Sequence, residues 1–173
     1  MLYTTLISII VFTLYLGVTL LRFQTIPPSL SDTYYKWGTK GWIFTISMCV
    51  TAALMLPAMI AVGEGNVWQF LGFLSPASLV FVGVAPRFKT DLTETKIHCI
   101  SALICGTSAI LWCILAVHLW WVLLISFAVI AGAFYFTSRK SIKTIQGCIH
   151  DEYTFWVEMW AFLSAFLALL IAL

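Results

Sequence analysis

Residues 97–136 are apolar almost without a break, and a run of that length is too long for a single bilayer crossing. About 20 mainly apolar residues in a helix cover the roughly 30 Å of hydrocarbon in a membrane, so this run has to turn back on itself. Beyond His98, at its start, the run's one histidine, acid or base is His118, near the midpoint and followed by Trp120 and Trp121. A tight hairpin there divides the run into two helices. The chain around it has the same character, with 62% hydrophobic and 9% charged residues. A soluble domain carries about a quarter charged residues, so this chain lacks the polar groups to coat a globule in water.

Counting apolar runs between breaks gives six spans, at residues 2–23, 42–62, 68–85, 97–117, 120–136 and 153–173. Pro27-Pro28, the Gly63-Glu64-Gly65-Asn66 turn and Pro86 punctuate the first three. Only helices and closed barrels satisfy their main-chain polar groups in lipid. The expected architecture is therefore a single-domain, all-α, polytopic membrane bundle of six helices. The N-terminal run has no basic region before it and no small-residue cleavage site, so it reads as a retained span and not as a signal peptide. Four of the five cysteines lie inside apolar runs and no pair has C-x-x-C spacing, which gives no disulfide framework.

All nine Lys and Arg residues fall in three connections: Arg22, Lys36 and Lys40 in the first, Arg87, Lys89 and Lys96 in the third, and Arg139, Lys140 and Lys143 in the fifth. The positive-inside rule then places these odd connections in the cytoplasm and both termini outside. Trp37, Trp42 and Trp156 mark the basic interface, and Trp68, Trp120 and Trp121 the opposite one. The net charge of +2 is too small to argue for nucleic acid. Membrane lipids are the expected partners, with a homo-oligomer or another membrane protein also open.

Six of the seven acids share the basic side. Asp91, Glu94, His98, Ser101 and Cys105 step by three or four residues, so they share one helix face if the fourth helix starts early. His150, Asp151 and Glu152 precede the last helix, and Glu158 lies about two turns below Asp151, on the order of 10 Å. An acid in hydrocarbon costs about 2.5–3.5 kcal/mol even on lenient scales and normally faces a partner inside the bundle. We expect the Ser31-Asp32 segment to fold over the basic mouth of the bundle and join His98 and Glu158. His98, Glu158, Asp32 and Ser31 are the candidate catalytic residues, with His98 as general base or ligand, Glu158 as its orienting acid and Asp32 as a second anchor. Ser101, Tyr34, Asp91, Glu94 and Asp151 are the candidate substrate contacts.

The structural alternative is a Glu158–His98 bond that locks two helices, with Ser31 or Asp32 merely capping a helix. No cofactor is expected. A divalent metal on His98, Glu158 and Asp32 is the weaker reading, because no span carries an H-x-x-x-H or H-E-x-x-H pattern.

Three short patterns together resemble the Frag1/DRAM/Sfk1 group of six-helix membrane proteins. They are PPSLSDTYY at 27–35, similar to that family's Pro-x-Ile-Ser-Asp-Thr segment, KIHCISA at 96–102, and FWVEMWAF at 155–162. Met159 intervenes before Trp160, and Tyr34 stands where the family usually has glycine. The family is usually drawn with cytosolic termini, opposite to the charge-based orientation. The resemblance implies that Ser31, Asp32, His98 and Glu158 are the positions that matter, and that handling or remodelling of a lipid is the leading function. A small proton-coupled carrier and a non-catalytic scaffold are the alternatives. Against the carrier, the second, third and fifth helices have no ionisable residue in mid-span.

Overall fold

A computed structural model describes residues 1–139 and 152–173, and among them every regular element is helical. α1 is Leu2–Phe23, α2 is the short Thr33–Trp37, and a 3₁₀ turn follows at Gly38–Lys40. The remaining helices are α3 (Trp42–Val62), α4 (Gln69–Val84), α5 (Leu92–Leu115), α6 (Trp121–Arg139) and α7 (Glu152–Ala172). Four of these, α1, α3, α5 and α7, are long and apolar enough to cross a membrane, and α4 and α6 are shorter apolar helices.

Each boundary has a local cause. α1 stops where Gln24 turns left-handed (φ 51°) and its N–H returns to the Leu20 carbonyl, just ahead of the two prolines. The expected hairpin in the long apolar run forms at residues 116–120, where His118 takes a positive φ of 60°. α5 begins at Leu92, five residues ahead of the expected 97, because Asp91 caps its first turn by accepting from the Thr93 and Glu94 N–H groups.

α3, α4 and α5 form the tight centre of the bundle, with α1 against α3, and α7 closing against α5, α6, α1 and α3. Trp112 is wholly buried, as are Phe44, Met48, Met59 and Leu169. A Cβ on Gly72 would stand 2.8 Å from both the Met59 carbonyl oxygen and Trp112 Nε1, so only glycine permits this approach of α3, α4 and α5. Small residues at close crossings are the usual way helices pack in lipid.

The outer surface is as apolar as the core. Leu14, Leu21, Phe73, Leu103, Leu124 and Phe127 all point outward and are more than half exposed. Such a continuous apolar exterior is incompatible with a stable monomer in water and is compatible with an integral membrane protein.

Candidate functional site

The two prolines follow the end of α1, and the strap that leads from them into α2, Ser29–Asp32, is turned, with the Asp32, Thr33 and Tyr34 N–H groups returning to the Ser29, Leu30 and Ser31 carbonyls. Proline lacks an N–H, and the residue before it is pushed to extended backbone, so the chain turns again only after Pro28. The strap is nonetheless buried: Ser29, Leu30, Ser31, Asp32 and Thr33 are each at most 5% exposed. Its polar groups are matched by four separate elements.

To α7, the Pro28 carbonyl accepts the Phe155 N–H at 3.0 Å, and the Leu30 N–H donates to Glu158 Oε2 at 2.5 Å. To α1, Thr33 and Tyr15 share a hydroxyl–hydroxyl bond, while the Thr33 hydroxyl also reaches the Leu30 carbonyl. To the α4–α5 loop, Asp32 Oδ1 meets the Lys89 ammonium at 2.5 Å, and the Lys89 N–H donates to the Tyr35 hydroxyl at 2.7 Å. To α5, Ser31 Oγ lies 2.9 Å from His98 Nε2.

His98 is 4% exposed and held on three sides. Its Nδ1 lies 2.9 Å from the Ala85 carbonyl, and its ring stacks on Phe88 at 4.4 Å and 16°. A carbonyl only accepts, so Nδ1 carries the proton in that contact. In the neutral ring Nε2 is then the lone-pair nitrogen, and the Ser31 hydroxyl donates to it.

Beneath the strap lies a cavity of about 60 Å³, bordered by Ser31 and Glu158 at one end and by apolar side chains elsewhere, among them Phe44, Met48, Leu79 and Phe162. A second cavity of about 30 Å³ shares Leu79, Cys105, Ala161 and Phe162 with the first and continues to Ser75, Ala109 and Ala165. From Ala102 to Ala109 along α5, the pair runs about 10 Å into the bundle. The α3 and α4 walls are buried, whereas Ala102, Gly106, Ala161 and Phe162 are half-buried, which puts the accessible side at the α5–α7 seam.

The expected residues divide accordingly. Ser31, Asp32, His98 and Glu158 come together at the basic end, although no bond joins Glu158 to His98. Both imidazole nitrogens are engaged elsewhere, so the residue that orients His98 is Ala85, through its main chain, and not Glu158. Asp32 sits at the N-cap position of α2 without making a side-chain cap bond. Ser101 is half-buried and borders neither cavity; Ala102, Cys105 and Gly106 hold that face of α5 instead. Tyr34 packs its ring over Gly41, away from the cavities. Asp91 is taken up by capping, and Glu94 pairs with Arg87 at 2.7 Å on the exposed rim. Asp151 and His150 lie outside the described residues. Among the described residues, no three His, Cys, Asp or Glu side chains cluster as a metal site.

The parts not anticipated are Lys89, Phe88 and the main chain of Leu30 and Ala85. Lys89 was visible only as one of nine basic residues, and a main-chain donor or acceptor has no residue-type signature.

The Asp91 cap has its own test. Its two N–H bonds hold the carboxyl below the usual carboxylate range. A depressed folded pKa contributes stability above the unfolded value that is lost as pH falls through the folded one. Protection of the Thr93 and Glu94 amides, measured as exchange relative to the unprotected rate at the same pH, should therefore be high at neutral pH and fall in acid below the normal Asp range, and Asp91→Ala should show low protection at every pH. Equal rates in variant and wild type at pH 7 would remove the cap.

Comparisons of the chain with protein-family models, with curated proteins and with solved structures find no match.

Proposed function

We propose that this protein crosses the bilayer six times, with its basic connections cytoplasmic and both termini outside, and that it binds a membrane lipid for handling or remodelling at the strap-covered end. The observation that carries the reading is the cavity of about 60 Å³ beneath the strap, apolar except where Ser31 and Glu158 line it. Ligand sites of this kind pair an apolar body with a few placed polar groups. An acyl chain suits the wall, and an ester or headgroup suits the polar end. The α5–α7 seam offers lateral entry from lipid.

Lys36, Lys40, Lys89 and Lys96 surround that end, and each can attract an anionic headgroup by about 1 kcal/mol. The short α4 and α6 complete the six crossings, α4 by lying beside α3 and α5 and α6 by lying beside α5 and α7. The similarity of PPSLSDTYY to the Frag1/DRAM/Sfk1 pattern supports the six crossings and the lipid function, while that family's cytosolic termini are opposite to the orientation proposed.

Gly106 provides the test. It lines the cavity, and a Cβ placed on it meets nothing within 4 Å. Gly106→Leu should fill the space without disturbing the backbone, and removing a helix-interior glycine should stabilise by up to about 1 kcal/mol. With a phosphatidylcholine carrying a diazirine in its acyl chain, the wild type should give adducts on α5 and α7 around residues 102–106 and 158–165. Gly106→Leu should lose those adducts at least fivefold while eluting as the same folded particle. Adducts spread over the outer helix faces and unchanged in the variant would overturn the reading.

A further inference from the structure

We infer that Ser31 and His98 form an acyl-transfer dyad whose substrate is an ester-linked acyl lipid with its chain in the cavity below; this rests on the lipid reading above and adds the chemistry. The geometry meets the requirements for an activated serine one by one. The nucleophile's oxygen is within hydrogen-bond reach of the base, 2.9 Å, and the base is oriented by a third group at its other nitrogen, also 2.9 Å. The Ala85 carbonyl fixes the tautomer, so the lone pair of Nε2 faces the hydroxyl. Phe88 stacks on one face of the ring and prevents it from turning.

The strap is anchored on both sides of Ser31, at Leu30 by Glu158 and at Asp32 by Lys89, so the hydroxyl is held in place. Glu158 and Lys89 are positioning residues in this scheme. Ser31 also borders the cavity, so an acyl chain lying between Met48, Leu79 and Phe162 brings its ester end to the hydroxyl.

The chemistry balances without an external redox partner. Ser31 Oγ forms a bond to the ester carbonyl carbon as its proton passes to His98 Nε2. Collapse of the tetrahedral intermediate breaks the ester's bond to the alcohol oxygen, and His98 returns the proton to that oxygen, which leaves as an alcohol. The acyl group is then an ester of Ser31. Water or the hydroxyl of a second lipid gives its proton to Nε2 and attacks the acyl carbon. The bond to Ser31 Oγ breaks and the serine recovers its proton from His98. A neutral carbonyl stabilises the transient imidazolium less than a carboxylate would, so turnover should be slow.

The experiment uses the full chain in lipid nanodiscs and a fluorophosphonate bearing a long alkyl chain, which loses fluoride as its phosphorus bonds to an activated serine. Intact mass should show one adduct per chain, mapped by peptide sequencing to Ser31. Ser31→Ala should abolish it, and His98→Gln should slow it at least a hundredfold while retaining the folded elution profile. Should either variant fail to fold, Ser31→Cys keeps the contact, and its alkylation by a chain-bearing iodoacetamide should be at least tenfold faster with His98 than with His98→Asn. Folded wild type that remains unlabelled, or is labelled at another serine, overturns the dyad. If the diazirine lipid still cross-links at α5 and α7 in that case, the binding reading stands and Ser31–His98 is a structural latch.

Discussion

Replacing Lys89 with methionine should destabilise the protein by about 2–3 kcal/mol, more than its position on a loop suggests. The Asp32 side chain is 5% exposed, and its Oδ1 meets the ammonium at 2.5 Å. Among the described residues, Asp32 Oδ2 has no hydrogen-bond partner. Removing the cation therefore leaves a buried carboxylate with nothing to compensate it, which costs about 3–5 kcal/mol where both partners are buried. Lys89 is 34% exposed, and water already screens part of the pair, which brings the expectation down. Asp32→Asn alone should be milder, since the amide is neutral, and adding it to Lys89→Met should restore most of the loss. The coupling read from the four proteins, by reversible unfolding in mixed micelles, should be about 1–2 kcal/mol. A loss of less than 0.5 kcal/mol (roughly the limit of a surface substitution) for Lys89→Met would mean that solvent or lipid already neutralises Asp32. The same variant should loosen the strap, because the ion pair that ties it to the Lys89 loop is lost while the Tyr35 hydroxyl bond and the packing of Tyr35 on Phe88 remain.

Much of this arrangement could be read from residue types. The turn at His118 follows from an apolar run too long for one crossing, and it forms where the run's later histidine stands beside two tryptophans. The meeting of the strap with His98 and Glu158 follows from the need of a lone acid in hydrocarbon for company. What that reasoning mistook was the identity of the company. It paired the acid with the imidazole, the most conspicuous polar side chain available, whereas the contacts run through the Leu30 N–H and the Ala85 carbonyl. Any residue can supply a main-chain group, so no pattern of letters points to one.

The choice of Ser101 on α5 has a related reason. Ser101 and Ala102 both lie one turn from His98 and fit the helical period equally well, and preference went to the hydroxyl. The cavity wall needs small size and not polarity, so Ala102, Cys105 and Gly106 face it. Asp91 and Glu94 have close local partners in this structure. Acids at the start of a helix interact favourably with its amides and with nearby cations, and those local partners absorb them before any substrate can.

Glu158 is where stability and the candidate chemistry meet, and Glu158→Ala should cost about 2–3 kcal/mol. The carboxyl oxygen of Glu158 accepts the Leu30 N–H, and Leu30 itself is 3% exposed. Without an acceptor that N–H stays desolvated and unpaired, a loss of about 1–3 kcal/mol. The shortened side chain also enlarges the cavity it borders and removes packing from beside Ala161 and Phe162. Glu158→Gln separates the contributions. Its amide oxygen can accept the same N–H, so folding should return to within about 1 kcal/mol of the wild type. If Glu158 only positions the strap, the glutamine variant should also retain fluorophosphonate labelling of Ser31 within about threefold, whereas alanine should lose labelling even under conditions where it remains folded. A glutamine variant that is stable but loses labelling more than a hundredfold would instead make the carboxyl group itself part of the reaction. An alanine variant as stable as the wild type would show that the strap is held chiefly by Pro28, Thr33 and Lys89, and that the acid is free to meet a ligand.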